Sequence, residues 1–110
     1  MTASETGYVP AIFEDFRHDF PQVAAAYREL VIALHEAGPL DRRSRRLVKL
    51  ATAVGRGAEG AVRSHVRQGM DEGITRAEIE HAIIQSVPIV GLPSTIAALK
   101  WAREVFAARG

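Results

Sequence analysis

Apolar residues in this chain recur at intervals of three and four, and no stretch of strand length alternates apolar with polar residues. That periodicity is helical, so nearly every segment satisfies its backbone hydrogen bonds locally. The sharpest stripe is Ala58, Ala61, Val62, His65, Val66, Gly69 and Met70, each three or four positions from a neighbour on the same helix face. It sets one histidine among small and apolar neighbours. At 110 residues the chain is one domain by length and buries roughly two-thirds of its unfolded surface, enough for a modest core.

Start and stop signals divide the chain. Residues 1–8 are small and polar and read as a flexible terminus, with one helical domain expected over 9–110. A short helix is expected over Pro10 to Arg17, with Ile12, Phe13 and Phe16 on its apolar side. Pro21 suits the first turn of the next helix, whose stripe is Val23, Tyr27, Leu30, Val31 and Leu34 and whose end is Gly38-Pro39. Asp41 is placed to cap a third helix, which carries Leu47, Val48, Leu50, Ala51 and Val54 and is apolar almost all round, hence central. Gly55 and Gly57 break it from the His65 helix, which stops near Gly73. Thr75 and Glu78 have capping-box spacing ahead of a helix burying Ile79, Ala82, Ile83 and Val87. Pro88 and Gly91-Leu92-Pro93 end that helix. Ser94 is the expected cap of a last one, with Ile96, Leu99, Ala102 and Phe106 inward. The fold class is all-α, a single domain of five or six helices.

Composition excludes several chemistries. The chain has no cysteine, so it holds no disulfide, no thiolate metal site and no thiol nucleophile. His18, His35 and His81 are scattered, and His35-Glu36 and Glu80-His81 are adjacent rather than at metal-ligand spacing; no metal or other cofactor is expected. Fourteen Lys and Arg against 13 Asp and Glu give a formal charge of +1, which calls for neither nucleic acid nor an anionic membrane. MTASETGYVP lacks the basic and apolar parts of a signal peptide, and no apolar run approaches the ~20 residues of a membrane span, so a cytoplasmic location is expected.

Leu47 to Phe106 resembles the carboxymuconolactone decarboxylase and alkylhydroperoxidase-D-like family. The resemblance rests on the order RRLVKLATAV, AVRSHVRQGMDEG, ITRAEIEHAIIQ, the GLPS turn and a final WAREVF, with the spacing from His65 to Gly73-Ile74-Thr75 as its sharpest part. It implies an alkylhydroperoxidase-D-like helical fold and a homo-oligomer, trimer or hexamer. It also implies that His65 borders an active pocket. The peroxidase branch of that family carries a Glu, a Cys-x-x-Cys pair and the His; those positions fall here on Arg46, Ala58, Ala61 and His65. An alanine methyl neither attacks a peroxide nor resolves a sulfenic acid, so thiol peroxidase chemistry is excluded. The decarboxylase branch is similar in lacking the Cys pair while keeping the His, and Glu59 and the IIQSVPIVGLPS stretch look more like that branch. Where it has a segment containing Trp and Arg, this chain reads VIALHEAGPLD.

Two residues are therefore candidates. His65 is the candidate catalytic acid/base, suited to deliver the proton that decarboxylation of a lactone acid requires. Arg46 is the candidate substrate-binding residue, a guanidinium able to hold a carboxylate bidentately. Each has a plainer reading: His65 as a core histidine hydrogen-bonded to its surroundings, and Arg42, Arg43, Arg45, Arg46 and Lys49 as one solvated helix face. The function expected is lyase-like acid/base chemistry on a small carboxylated or lactone substrate. The alternative is a non-catalytic structural or ligand-binding oligomer that keeps the fold. Five cations in eight residues also raise nucleic acid as a partner, against which stand the near-neutral chain and the lack of aromatic platforms. The chain is expected to flow through a heparin column at physiological salt; retention there would reopen a nucleic-acid role.

Overall fold

The computed structural model describes residues 11–110. The flexible terminus expected over residues 1–8, and Pro10 as a helix start, lie outside them. The described residues form α1 (Ala11–Asp19), α2 (Pro21–Glu36), α3 (Arg42–Arg56), α4 (Glu59–Asp71), α5 (Arg76–Ile84), α6 (Val87–Val90) and α7 (Leu92–Arg109), with no strand among them. Six are full helices and α6 is a single four-residue turn, so the all-α expectation holds.

Local chemistry sets most of the boundaries. Pro21 occupies the first turn of α2, where its missing N–H is no loss. Asp41 caps α3 by accepting from the Ser44 N–H at 2.7 Å. Gly57, at φ 70°, closes α3 in the left-handed conformation that a side chain would resist, and its N–H returns to Ala53 and Val54. Thr75 and Glu78 make the full reciprocal capping box at α5.

At α7 the structure corrects the sequence reading. Its N-cap is Gly91, at φ 91° and ψ 163°, and Ser94 lies inside the helix rather than capping it. The chain turns within one residue at Gly91, a conformation that favours glycine, and Pro93 fits the first turn that follows. The inward face is accordingly Thr95, Ala98, Ala102, Val105 and Phe106, while Ile96 is 52% exposed.

Helices α3, α4, α5 and α7 form the body. α4 lies between α3 and α7, and α5 packs against both α3 and α7. Leu50, Val54, Val62, Val66, Ile79, Ile83, Val105 and Phe106 are its large buried apolar side chains, with Ala98 and Ala102 of α7 allowing close approach. Burying each large aliphatic side chain is worth about 1.5–3 kcal/mol. The α4 stripe is inward as its periodicity requires, with Val62, Val66 and Gly69 buried and Ala61 and Met70 packed on the core; Ala58 is the N-cap, just outside the helix. α3 is central, but not buried all round: Val48 is 53% exposed and Ala51 is exposed too.

The N-terminal helices depart furthest from expectation. Neither α1 nor α2 has a buried residue, and α1 packs chiefly against α2. On α2 only Ala24, Val31 and His35 are even half-buried, while the expected stripe of Val23, Tyr27, Leu30 and Leu34 stands in the open. The periodicity of that stripe identifies the helix; burial depends on what lies opposite, and among the described residues nothing covers it.

A buried, helical Gly69 has room for a methyl group: a Cβ there would lie 3.5 Å from Arg46 Cγ and 3.7 Å from the Ile74 and Ile79 side chains, which is ordinary contact. Gly69→Ala should therefore stabilise the fold by about 0.5–1 kcal/mol through helix propensity. Ile83→Ala, by contrast, should cost about 2–5 kcal/mol. Urea unfolding of both variants measures the two effects.

Candidate functional site

Arg42, Arg45, Arg46 and Lys49 are spaced three or four apart and form one face of α3. That face meets the C-terminal half of α4, where His65 and Glu72 lie two turns apart on the same side. From the end of α2, His35 completes the third side. These side chains surround a cavity of about 110 Å³ lined by His35, Arg42, Arg45, Arg46, Lys49 and Glu72. His65 stands behind Arg46 rather than on the cavity wall.

Arg46 organises the group. Its Nε and Nη2 donate to the two Glu72 carboxylate oxygens at 3.0 and 2.9 Å, a bidentate pair whose side chains are only 11% and 16% exposed. Its Nη1 lies 2.7 Å from His65 Nδ1. A guanidinium can only donate, so Nδ1 accepts and the neutral His65 ring carries its proton on Nε2. One N–H on each of Nη1 and Nη2 is left for another partner. Arg42 adds a second cation 3.7 Å from Glu72. Lys49 Nζ lies 2.7 Å from His35 Nε2 and donates to it, fixing that ring with its proton on Nδ1. Arg45 donates to the Leu40 carbonyl at 2.6 Å, which ties the α2–α3 turn to the same face.

The electrostatics follow from this count. Four fixed cations face one carboxylate. Burial lowers the His65 pKa to about 4, with the Arg46 and Lys49 charges adding to the effect and Glu72 opposing it. Desolvation and the Lys49 charge hold His35 below the ordinary histidine range, and desolvation followed by the Arg46 charge lowers Lys49. The bonds from Arg46 keep Glu72 ionised below the usual carboxylate range. At neutral pH the site is thus a cationic cavity with two neutral imidazoles beside it. Among the described residues no group of three or more His, Asp or Glu is arranged to hold a metal ion, and no helix is long and apolar enough to cross a membrane.

Both sequence candidates meet here, in direct hydrogen bond. Of the cation run, Arg43 leaves the group to pair with Glu78 on α5. Glu59 and Arg63 make an i, i+4 pair, and Arg63 reaches on to Glu104 of α7. Glu72 and His35 were not foreseen. The Glu72 signal was present, seven residues beyond His65 and so on the same helix face; His35 arrives only through the α2–α3 turn and has no local signature.

A cysteine-free, all-helical domain with an Arg–His–Glu cluster between two adjacent helices defines a class without thiol chemistry. The profile of the carboxymuconolactone decarboxylase family matches residues 19–104, and the chain belongs to that family. It is similar to the 4-carboxymuconolactone decarboxylase of Acinetobacter baylyi (strain ATCC 33305 / BD413 / ADP1), 36% identical over 67 residues. The match covers 61% of this chain and half the length of that relative. No solved structure matches the chain.

Nuclear magnetic resonance titration of the His65 ring should give a midpoint near 4, lower still in Glu72→Gln, where the one opposing charge is removed. The linked stability effect has a definite sign. An unfolded ring binds its proton near 6.5 and the folded ring near 4, so unfolding takes up a proton and stability falls as pH drops through that window. His35 acts in the same direction. Denaturant unfolding across the window should show a shallower acid slope for His65→Gln than for the wild type.

Proposed function

We propose that this chain is a lyase of the carboxymuconolactone decarboxylase type, using acid/base chemistry on a small carboxylated lactone. The observation that supports this reading is the cavity in which four cations face a single carboxylate, with a hydrogen-bonded histidine directly behind it. Such an excess of positive charge in a half-buried recess favours an anion, and a dicarboxylate would balance most of it. A substrate carboxylate would be held by the two unused N–H groups of Arg46 together with Arg42, Arg45 or Lys49. Arg46 is then the substrate-binding residue and His65 the catalytic one.

Decarboxylation breaks the bond between carbon and the departing carboxylate. The electron pair moves into the conjugated lactone, and a proton must reach carbon to close the balance. His65 supplies it as the imidazolium: a substrate carboxylate that draws Arg46 Nη1 off Nδ1 clears the way from the ring to the cavity, and the ring takes a proton from solvent and passes it to carbon through Nε2. The cavity cations stabilise the charge that develops on the lactone. The bound substrate carboxylate offsets the second positive charge that the protonated ring sets beside Arg46. The chain works as a cytoplasmic homo-oligomer in this reading, a trimer or hexamer; the unburied α1 and α2 support it.

The ion pair that already engages Arg46 favours a second reading, a non-catalytic oligomer that binds a carboxylate without turning it over. Release of CO2 from γ-carboxymuconolactone separates the two. Under the catalytic reading, His65→Ala lowers kcat about 10²–10⁴-fold. Arg45→Ala mainly raises KM. Turnover unchanged in His65→Ala would remove the role assigned to that ring, and carboxylate binding with no CO2 release would establish the second reading.

A further inference from the structure

The cationic cavity does not stand alone. It adjoins a groove of about 190 Å³, and His35, Arg45 and Lys49 line both. The two halves differ in chemistry. Every side chain on the cavity wall is charged or an imidazole. The groove adds Leu34, Leu40 and Val48, which are 59%, 51% and 53% exposed. Convergent polar groups at one end and an apolar wall at the other are the make-up of a small-molecule site, and a recess filled by water alone gains nothing from the second.

The boundary between the halves is held by two hydrogen bonds. Arg45 donates to the Leu40 carbonyl at 2.6 Å, which ties the α2–α3 turn, and with it Leu40, to α3. Lys49 donates to His35 Nε2 at 2.7 Å, which ties the last turn of α2, and with it Leu34, to the same helix. Both cationic residues line cavity and groove alike, which suits side chains that carry a charged head on an aliphatic stem.

Charge decides how a ligand lies across the two. Four cations facing one carboxylate select an anionic head for the cavity. Arg42 and Val48 are six residues apart on α3, about 9 Å along its axis, which is the reach of a chain of about seven carbons. A ligand held by its carboxylate therefore passes its further carbons along Leu34, Leu40 and Val48, where a second charge would be set against three apolar side chains. A short dicarboxylate balances more of the cavity charge but leaves this wall in water. We propose that the ligand of this site is an amphipathic monocarboxylate, its head on the α3 cations and an alkyl arm of about four to seven carbons in the groove. Leu40 and Val48 are then specificity-determining residues. The proposal rests on the reading of the cavity as a carboxylate site and names the class of acid: one that bears an alkyl arm, as an alkyl-substituted lactone acid would.

Isothermal titration calorimetry of the wild type with butyrate, hexanoate and octanoate measures the arm. Each methylene taken out of water should tighten binding about two- to fourfold, so octanoate should bind at least about tenfold more tightly than butyrate. Leu40→Ser/Val48→Ser should bring that ratio close to one. Should the double variant unfold, Val48→Ser alone, at an exposed position, should about halve it. Octan-1-ol should bind far more weakly than octanoate, since it lacks the anionic head. Butyrate binding with no gain from the longer acids would overturn the arm and leave the carboxylate site standing. Failure of all three acids to bind would overturn both. Octan-1-ol binding as tightly as octanoate, or a ratio unchanged in the serine variants, would put the arm on apolar surface elsewhere and overturn the proposal alone.

Discussion

A guanidinium that is 11% exposed cannot stand without a carboxylate, and the pairing of Arg46 with Glu72 is the constraint on which the site depends. Removing one partner from such a pair leaves an uncompensated charge and costs about 3–5 kcal/mol where burial is complete. The pair joins the first half of α3 to the end of α4, which fixes how those helices meet. It also aims Nη1 at His65, and so decides which ring nitrogen holds the proton. The fold, the tautomer and the shape of the cavity wall therefore share one interaction. Further ion pairs repeat the device at lower stakes: Arg43 with Glu78, Arg63 with Glu104 and Arg103 with Glu80 are all more exposed.

Burial divides the molecule unevenly. Among the described residues, the body made by α3, α4, α5 and α7 holds every buried apolar residue except Ile74, which lies in the turn between α4 and α5. α1 and α2 hold none, although each carries apolar residues at helical spacing. Hydrophobic free energy scales with area removed from water, and these helices have removed little. One polar contact that ties α2 to the body runs from Lys49 to His35.

How much could be read in the sequence depended on whether the deciding chemistry was local. Asp41 and the Thr75–Glu78 box need only a few residues in sequence, and both formed as their spacing required. The α4 stripe faced inward because small and apolar residues alternate cleanly with Arg63, Arg67 and Gln68. α7 was misread because apolar residues occupy several of its sides, so that periodicity alone could not choose between Ile96 and Thr95 as the inward position. In the site, His65 and Arg46 were legible from the family pattern, and their contact followed from the packing of α3 on α4. The cations on α3 were first a charge run; their spacing of three and four already placed four of them on one face. His35 was beyond any local reading, because a turn of five residues and a tertiary contact bring it in.

The loose attachment of α2 has a consequence for how any ligand in the cavity would bind. Regions with few apolar contacts open by local unfolding at low free energy, independently of the core. One wall of the cavity, the His35 side, belongs to such a unit, while the Arg46–Glu72 wall belongs to the body. When α2 opens, the cationic face remains in place and only the enclosure is lost. The measured affinity of a ligand that needs both walls is its intrinsic affinity reduced by the fraction of molecules in which α2 is closed. A substitution on the far side of α2, touching no ligand, would then change apparent affinity without altering a single contact in the pocket.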